Sequence, residues 1–134
     1  MKYFLDTNIC IRLLTGSSQN VIDKFESIDL DDIVLPSVAA AELIYGAYKS
    51  VKRRENLARI REFLNQFRVV GFDFAVIESY GVIRSDLERK GVPIGANDYF
   101  IAAITKANNG ILVTNNTREF SRVEGLLIED WTED

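Results

Sequence analysis

Five short apolar segments, separated by segments with helical periodicity, constrain the fold of this chain more than any other feature. They are residues 2–5 (KYFL), 32–36 (DIVLP), 68–72 (RVVGF), 111–114 (ILVT) and 126–129 (LLIE). Short apolar strands that alternate with helices indicate a parallel sheet covered on both faces. We therefore predict an α/β fold, an α/β/α sandwich with a central parallel sheet of four to five strands. With no repeat or shift in composition, residues 1–134 are expected to form a single domain.

Six segments have the spacing of apolar residues that is typical of helices. Ser37, Asp73 and Asn97 are the predicted N-caps of the third, fifth and sixth helices. Gly91 and Gly110 lie where the fifth and sixth helices should end. The segments are residues 8–14, 20–28 and 38–50, a helix within 49–68, then 73–91 and 96–110.

The side chains available for chemistry are unusually restricted. The chain contains no His, which excludes Ser-His-Asp and Cys-His catalysis and any zinc site that needs imidazole. Cys10 is the one cysteine, lies in an apolar helical pattern and is predicted to be a small core residue. Carboxylates therefore remain as the candidate functional groups.

Several polar residues follow the predicted strands closely. In an open parallel sheet, the carboxyl ends of the strands and the starts of the following helices meet at one edge, where ligands bind. Asp6 follows the first strand, Glu42 lies early in the helix after the second, and Asp98 opens the sixth helix. Residues 114–116 (TNN) leave the fourth strand, and Glu119 lies just beyond them. We expect all of these residues at the same edge.

Each carboxylate also has a purely structural interpretation. Asp6 and Asp98 could be helix-start residues, which the helix dipole favours by about 0.3 to 1 kcal/mol. Glu42 is harder to explain in this way, because its neighbours in VAAAELIYGA are apolar and a charge there is costly unless it is paired or bound to a cation. Three carboxylates without Lys or Arg among them repel one another. Their all-oxygen chemistry predicts a Mg²⁺ or Mn²⁺ site.

The charge of the chain is unevenly distributed. The net charge is −4, yet residues 49–68 carry seven basic against two acidic side chains, a local charge of +5. One interpretation is a solvated helix face with Glu55 and Arg59 paired at helical spacing. The other is a surface for the phosphate backbone of a nucleic acid next to the acidic edge.

The chain shows no sign of a membrane or export function. No apolar stretch has the length of a membrane span, and the N-terminal residues MKYFLDTN lack the apolar run of a secretory signal. We expect a cytoplasmic protein.

Four stretches together resemble the PIN-domain ribonuclease toxins of bacterial type II toxin–antitoxin pairs, the VapC family. They are residues 4–14 (FLDTNICIRLL), 37–50 (SVAAAELIYGAYKS), 91–103 (GVPIGANDYFIAA) and 112–131 (LVTNNTREFSRVEGLLIEDW). The resemblance implies that Asp6, Glu42 and Asp98 are metal ligands and catalytic residues. It places Asn116 at a fourth position that is acidic in many members, with Glu119 as the nearest acid, and both are expected among the catalytic residues. Thr7, Asn8 and Thr114 match polar residues near the metal centre.

The resemblance also implies an activity. The expected reaction is Mg²⁺-dependent hydrolysis of phosphodiester bonds in structured RNA, particularly tRNA, which would inhibit translation; Mn²⁺ should substitute. Four basic residues, Lys49, Lys52, Arg53 and Arg54, are candidates for RNA binding. The implied partners are a VapB-type antitoxin, a second copy of the chain in a homodimer, and operator DNA that the hetero-oligomer binds through the antitoxin.

Two other functions stay open at this point. The same scaffold could carry a metal-dependent DNA nuclease or phosphohydrolase, because fold analogy does not determine substrate. The chain could also be a non-catalytic binding module with a decayed site, which the neutral Asn116 favours and the three acids Asp6, Glu42 and Asp98 disfavour.

Overall fold

The computed structural model describes residues 1–133 and contains five strands and seven α-helices in that range. No helix in this range is long and apolar enough to cross a lipid bilayer. The elements, in chain order, are β1 (Tyr3–Leu5), α1 (Thr7–Thr15), α2 (Gln19–Glu26), a 3₁₀ turn (Leu30–Asp32), β2 (Ile33–Pro36), α3 (Ser37–Lys49), α4 (Arg53–Leu64), β3 (Arg68–Val70), α5 (Phe74–Arg89), α6 (Ala96–Ala107), β4 (Ile111–Val113), α7 (Thr117–Phe120) and β5 (Leu127–Glu129).

The five strands form one parallel sheet, which confirms the predicted architecture. The strand order is β3-β2-β1-β4-β5, so β1 is central. Tyr3 pairs with Ile33 of β2 on one side and with Ile111 of β4 on the other. The chain moves outward from β1 through β2 to β3 and then crosses back to β4. The carboxyl ends of β1 and β4 therefore flank the point where the strand order reverses, which is the usual ligand crevice of such sheets.

Side chains that alternate along the central strands build two hydrophobic layers. Phe4 and Leu112 are buried on the face covered by α5 and α6. Leu5 and Val113, their chain neighbours, are buried on the face covered by α1, α2, α3 and α4. Period-two alternation in a strand sends successive side chains to opposite faces. Because both faces carry helices, the three central strands β1, β2 and β4 contain no charged residue. Cys10 is buried in the second layer, as predicted.

The helix starts differ from the prediction in two places. Asp73 is the N-cap of α5, and its Oδ1 accepts the Val76 N–H at 3.0 Å, as expected. Ser37 is not a cap, because β2 runs directly into α3 and Pro36 occupies the cap position. Asn97 lies inside α6, whose cap is Gly95. In both helices the connection is shorter than the sequence pattern suggested, and neither start has a side-chain cap bond.

Candidate active site

Asp6 lies at the carboxyl end of the central strand and is only 5% exposed. Its N–H donates to the Val113 carbonyl at 2.9 Å, which holds the residue against β4. Its Oδ1 accepts the N–H of Thr7 at 2.8 Å and so caps α1. Its Oδ2 accepts the Thr114 hydroxyl at 2.8 Å. Asp6 therefore caps the helix and also delivers a buried carboxylate to the edge of the sheet.

Thr7 connects Asp6 to Glu42. The N–H of Thr7 donates to Asp6, and its hydroxyl donates to Glu42 Oε1 at 2.9 Å. Glu42 is the sixth residue of α3 and is half-buried. The result is a hydrogen-bonded chain from Thr114 through Asp6 and Thr7 to Glu42. It joins the residues that directly follow β4 and β1 to the first residue of α1 and to α3.

Asp98 lies in the first turn of α6 and belongs to the same cluster. Burial, followed by the negative charges of Asp6, Glu119 and Glu42, raises the pKa of Asp98 from 3.8 to about 6. Burial is also the largest influence on Asp6; it raises the pKa of that carboxyl, against the hydrogen bonds from Thr114 and Thr7. Because the charges of Asp6, Glu119 and Glu42 all act on Asp98, we group the four acids as the acidic site.

The acidic site lacks compensating positive charge. Across residues 1–133, none of its four carboxylates forms an ion pair with Lys or Arg. Oxygen donors with uncompensated charge suit a hard divalent cation. Within the same range, however, no three acidic or thiol groups already converge on one point as a complete metal site. The hydroxyl groups of Thr114 and Thr7 hold Asp6 and Glu42 in their present positions.

The side chains of two predicted site residues, Asn8 and Asn116, do not form hydrogen bonds among residues 1–133. Asn8 is exposed, and its side chain has no hydrogen bond within the described part of the chain. Asn116 precedes α7, and its N–H donates to the Thr114 hydroxyl at 3.0 Å. The Asn116 side chain has no hydrogen bond in residues 1–133. Asn116 therefore contributes its backbone to the position of Thr114, while half-buried Glu119 supplies the fourth negative charge.

The basic residues predicted to bind RNA lie beyond Glu42 along the chain. Lys49 ends α3, Arg53 and Arg54 begin α4, and Lys52 lies between the helices; all four are exposed. The pairing of Glu55 with Arg59, which belonged to one of the two interpretations of this segment, is not among the ion pairs of residues 1–133. The Arg59 guanidinium instead donates to the Leu14 carbonyl at 3.0 Å, because α4 packs close to the end of α1.

An apolar groove opens beside Glu42, between α1, α3 and α4. Its volume is about 310 Å³, and its lining includes Ile11, Leu14, Glu42, Leu43, Ala47 and Ile60. We call it the α1–α3–α4 groove. It joins a mostly apolar surface to one carboxylate of the acidic site.

Comparison with known proteins identifies the family. Residues 3–126 match the model of the PIN domain. The tRNA(fMet)-specific endonuclease VapC of Shigella flexneri is 42% identical over 132 residues, which cover 98% of this chain and 99% of the relative. Ribonuclease VapC2 of Rickettsia felis is 37% identical over 132 residues, with 98% of each chain covered.

Solved structures agree with this assignment. VapBC2 of Rickettsia felis, bound to a DNA fragment from the promoter, superposes with a TM-score of 0.90 at 36% identity, covering 98% of this chain and 99% of the other. DNA-bound VapBC of Salmonella typhimurium superposes with a TM-score of 0.91 at 37% identity, covering 98% of each chain. PIN-domain ribonucleases are in general metal-dependent. The chain therefore belongs to the PIN-domain family and, within it, to the VapC ribonucleases.

Proposed function

We propose that this protein is the toxin of a type II toxin–antitoxin pair and that it acts in the cytoplasm as a Mg²⁺-dependent endoribonuclease on structured RNA, with tRNA as the substrate class. The observation that carries the proposal is the acidic site, where four carboxylates at the β1/β4 crevice have no compensating cation among residues 1–133. The relative from Shigella flexneri, named as a tRNA(fMet)-specific endonuclease, supports tRNA as the substrate.

In this proposal, Asp6, Glu42 and Asp98 hold the cation. When bound, the cation supplies a Lewis acid that binds the scissile phosphate and acidifies a water. Thr114 and Thr7 fix the orientations of Asp6 and Glu42 through their hydroxyl hydrogen bonds. Asp98 or Glu119 takes the proton from the attacking water. The water oxygen attacks phosphorus in line with the P–O3′ bond, which breaks. The products are a 5′-phosphate and a 3′ oxygen that takes a proton from solvent to become the 3′-hydroxyl.

The chemistry of the donor set favours Mg²⁺. The chain has no His, and burial in the apolar layer raises the pKa of its one thiol, Cys10, so soft or imidazole-preferring metals have no natural ligands here. Mn²⁺ also accepts carboxylate oxygens and should substitute. A neutral amide at Asn116 in place of a carboxylate favours one metal ion over two.

Cleavage assays test the proposed function directly. We expect purified protein to cut tRNA in Mg²⁺ or Mn²⁺, to leave it intact in EDTA, and to leave single-stranded DNA of the same sequence intact. Equal cleavage of the DNA, or phosphate release from small esters, would instead identify the alternative nuclease or phosphohydrolase. Absence of both cleavage and Mn²⁺ binding in calorimetry would identify a non-catalytic module.

Replacing Lys52, Arg53 and Arg54 together with Ala should weaken RNA binding. Each lost phosphate contact reduces the dependence of binding on salt by roughly one unit of slope in a double-logarithmic plot. Binding should be measured over a salt series, with Mn²⁺ affinity as the control, since these exposed residues do not belong to the acidic site. If the salt dependence of RNA binding is unchanged in the variant, these three residues form a solvated surface and do not contact RNA phosphates.

The acidic site also suggests how a partner could inhibit the protein. We propose a VapB-type antitoxin as the partner, in a hetero-oligomer that contains a toxin dimer and binds operator DNA through the antitoxin. The DNA-bound VapBC relatives support this proposal. An antitoxin arm with an Arg or Lys head group would be attracted by the four carboxylates. Apolar residues of the arm could then fill the α1–α3–α4 groove, which adjoins Glu42.

Competition with metal tests this mode of inhibition. We expect an antitoxin peptide to bind more weakly in excess Mn²⁺, because cation and head group occupy the same carboxylates. Glu42→Gln should reduce peptide affinity as well as catalysis, and a peptide with its basic residue replaced should be insensitive to Mn²⁺. If peptide affinity, measured by calorimetry, responds to neither change, the arm inhibits from outside the acidic site.

A further inference from the structure

Two exposed tyrosines on α3 are paired with basic side chains. Tyr45 is 64% exposed and Tyr48 is 46% exposed. Lys49 Nζ lies 5.3 Å from the centre of the Tyr45 ring, and the guanidinium carbon of Arg53 lies 5.9 Å from the centre of the Tyr48 ring. The Arg53 Nε–H also donates to the Tyr48 carbonyl at 2.7 Å, which fixes the second pair. The surface thus alternates aromatic rings and positive charges.

This strip begins at the acidic site. Tyr45 follows Glu42 by three residues on one helix, so it lies one turn away, about 4.5 Å along the axis, on the neighbouring part of the same face. Lys49 follows Glu42 by two turns and lies on that face as well. A strand whose phosphate reached Glu42 would therefore pass over Tyr45 and Lys49 next.

The fold does not use these rings. Neither ring packs against another aromatic ring, and neither phenol hydroxyl has a hydrogen-bond partner, within residues 1–133. Phe72 provides a contrast, since it is also exposed but packs against Phe100 with ring centroids 5.2 Å apart. Each ring therefore has a cation over it, and each keeps exposed surface on which a further flat group can stack.

We propose that Tyr45 and Tyr48 form a stacking platform for unpaired bases of the RNA strand on one side of the scissile phosphate, while Lys49 and Arg53 contact the phosphates of those nucleotides. The proposal rests on the proposed function and refines its substrate class to single-stranded segments, such as loops. Aromatic side chains stack on bases of any sequence, and neighbouring cations follow the backbone. A duplex keeps its bases stacked internally, so the platform would select unpaired strands.

Binding measurements can separate stacking from general attraction. The probe is a short, unstructured, fluorescein-labelled oligoribonucleotide in EDTA, where metal-dependent hydrolysis is stopped. We expect Tyr45→Ala and Tyr48→Ala each to lower affinity roughly tenfold without changing the salt slope. Tyr45→Phe and Tyr48→Phe should bind like the unaltered protein, because they keep the ring. Lys49→Ala should instead make the salt slope shallower.

Two controls connect the effect to an unpaired base. The same strand annealed to its complement should lose its sensitivity to the Tyr→Ala changes. An abasic nucleotide placed at successive positions should weaken binding at one position in the unaltered protein but not in Tyr45→Ala, since the stacking contact is already missing there.

Specific results would overturn the platform. Unchanged single-strand affinity in both Ala variants would do so, as would an equal loss for the duplex. Weaker antitoxin binding with unchanged RNA binding would assign the two rings to a protein interface. Because binding is measured without metal, these outcomes are independent of cleavage. If the protein cleaves RNA but its RNA affinity does not depend on the two tyrosines, only the platform is refuted. If RNA affinity depends on the tyrosines but the protein does not cleave RNA, only the proposed activity is refuted.

Discussion

Asp98→Asn should reduce RNA cleavage by on the order of 10³-fold while leaving the metal-free protein equally stable or more stable. The expected loss of activity follows from the proposed role of Asp98 as a metal ligand. The expected gain in stability follows from its surroundings, because Asp98 is half-buried and repelled by Asp6, Glu119 and Glu42. Cleavage of tRNA and the melting temperature in EDTA should be measured on the same preparation.

The pH dependence of stability provides a second test of Asp98. Its pKa of about 6 in the folded protein exceeds the ordinary value of 3.8, so the folded state binds more protons than the unfolded chain between these values. The contribution of Asp98 to the free energy of unfolding therefore falls as pH rises from about 4 to 6, and the destabilisation is complete above that window. Asp98→Asn should lack this contribution. The difference in melting temperature between the variant and the unaltered protein should therefore grow, in favour of the variant, as pH rises over the same range.

Asp86 offers a matched control on a neighbouring helix. The hydrogen bond from Lys90, with the charges of Lys90 and Arg89, lowers the pKa of Asp86, which is the opposite of Asp98. Asp86→Asn should retain full activity and should not gain stability. If Asp98→Asn instead lost about 1 kcal/mol and remained active, Asp98 would be a helix-start residue and not a ligand.

Thr114→Val should destabilise the protein by about 2 to 3 kcal/mol and impair catalysis, although the two side chains have similar shapes. The Thr114 hydroxyl is completely buried, donates to Asp6 Oδ2 at 2.8 Å and accepts the Asn116 N–H at 3.0 Å. Without it, a buried carboxylate and a backbone N–H each lose a partner. The hydrogen bond also favours the charged form of Asp6, so its loss should raise the pKa of Asp6 further and move the rise in activity to higher pH.

Thr105→Val is the control for this change. Thr105 is also fully buried, but its hydroxyl donates to the Ile101 carbonyl within α6 and does not contact the acidic site. Its loss should affect stability less and leave the pH–activity profile unchanged. Denaturant unfolding and pH profiles of both variants decide the matter: identical profiles for Thr114→Val and the unaltered protein would show that the hydroxyl does not control Asp6.

The order of apolar strands and helical segments along the chain was enough to predict the helix–sheet–helix layers and the edge of the sheet at which the acids lie. Runs of apolar residues and helical spacing are properties of adjacent residues, and a parallel sheet leaves little choice about where Asp6, following its strand, will lie. The same reasoning placed Glu42 and Asp98 near the start of their helices. It failed at the caps Ser37 and Asn97 because connection length is not encoded in periodicity.

Only the tertiary structure decided which polar groups contact one another. The hydrogen bond between Thr114 and Asp6 joins residues 108 positions apart, and it exists because β4 lies beside β1. The same packing turns Thr7 toward Glu42, leaves Asn8 in solvent and directs Arg59 to Leu14 instead of Glu55. Strand order and helix docking depend on the burial of the whole chain. The sequence by itself therefore determined which acids are present and at which edge of the sheet they lie. Packing determined which groups they hydrogen-bond to and raised the pKa of Asp6 and Asp98.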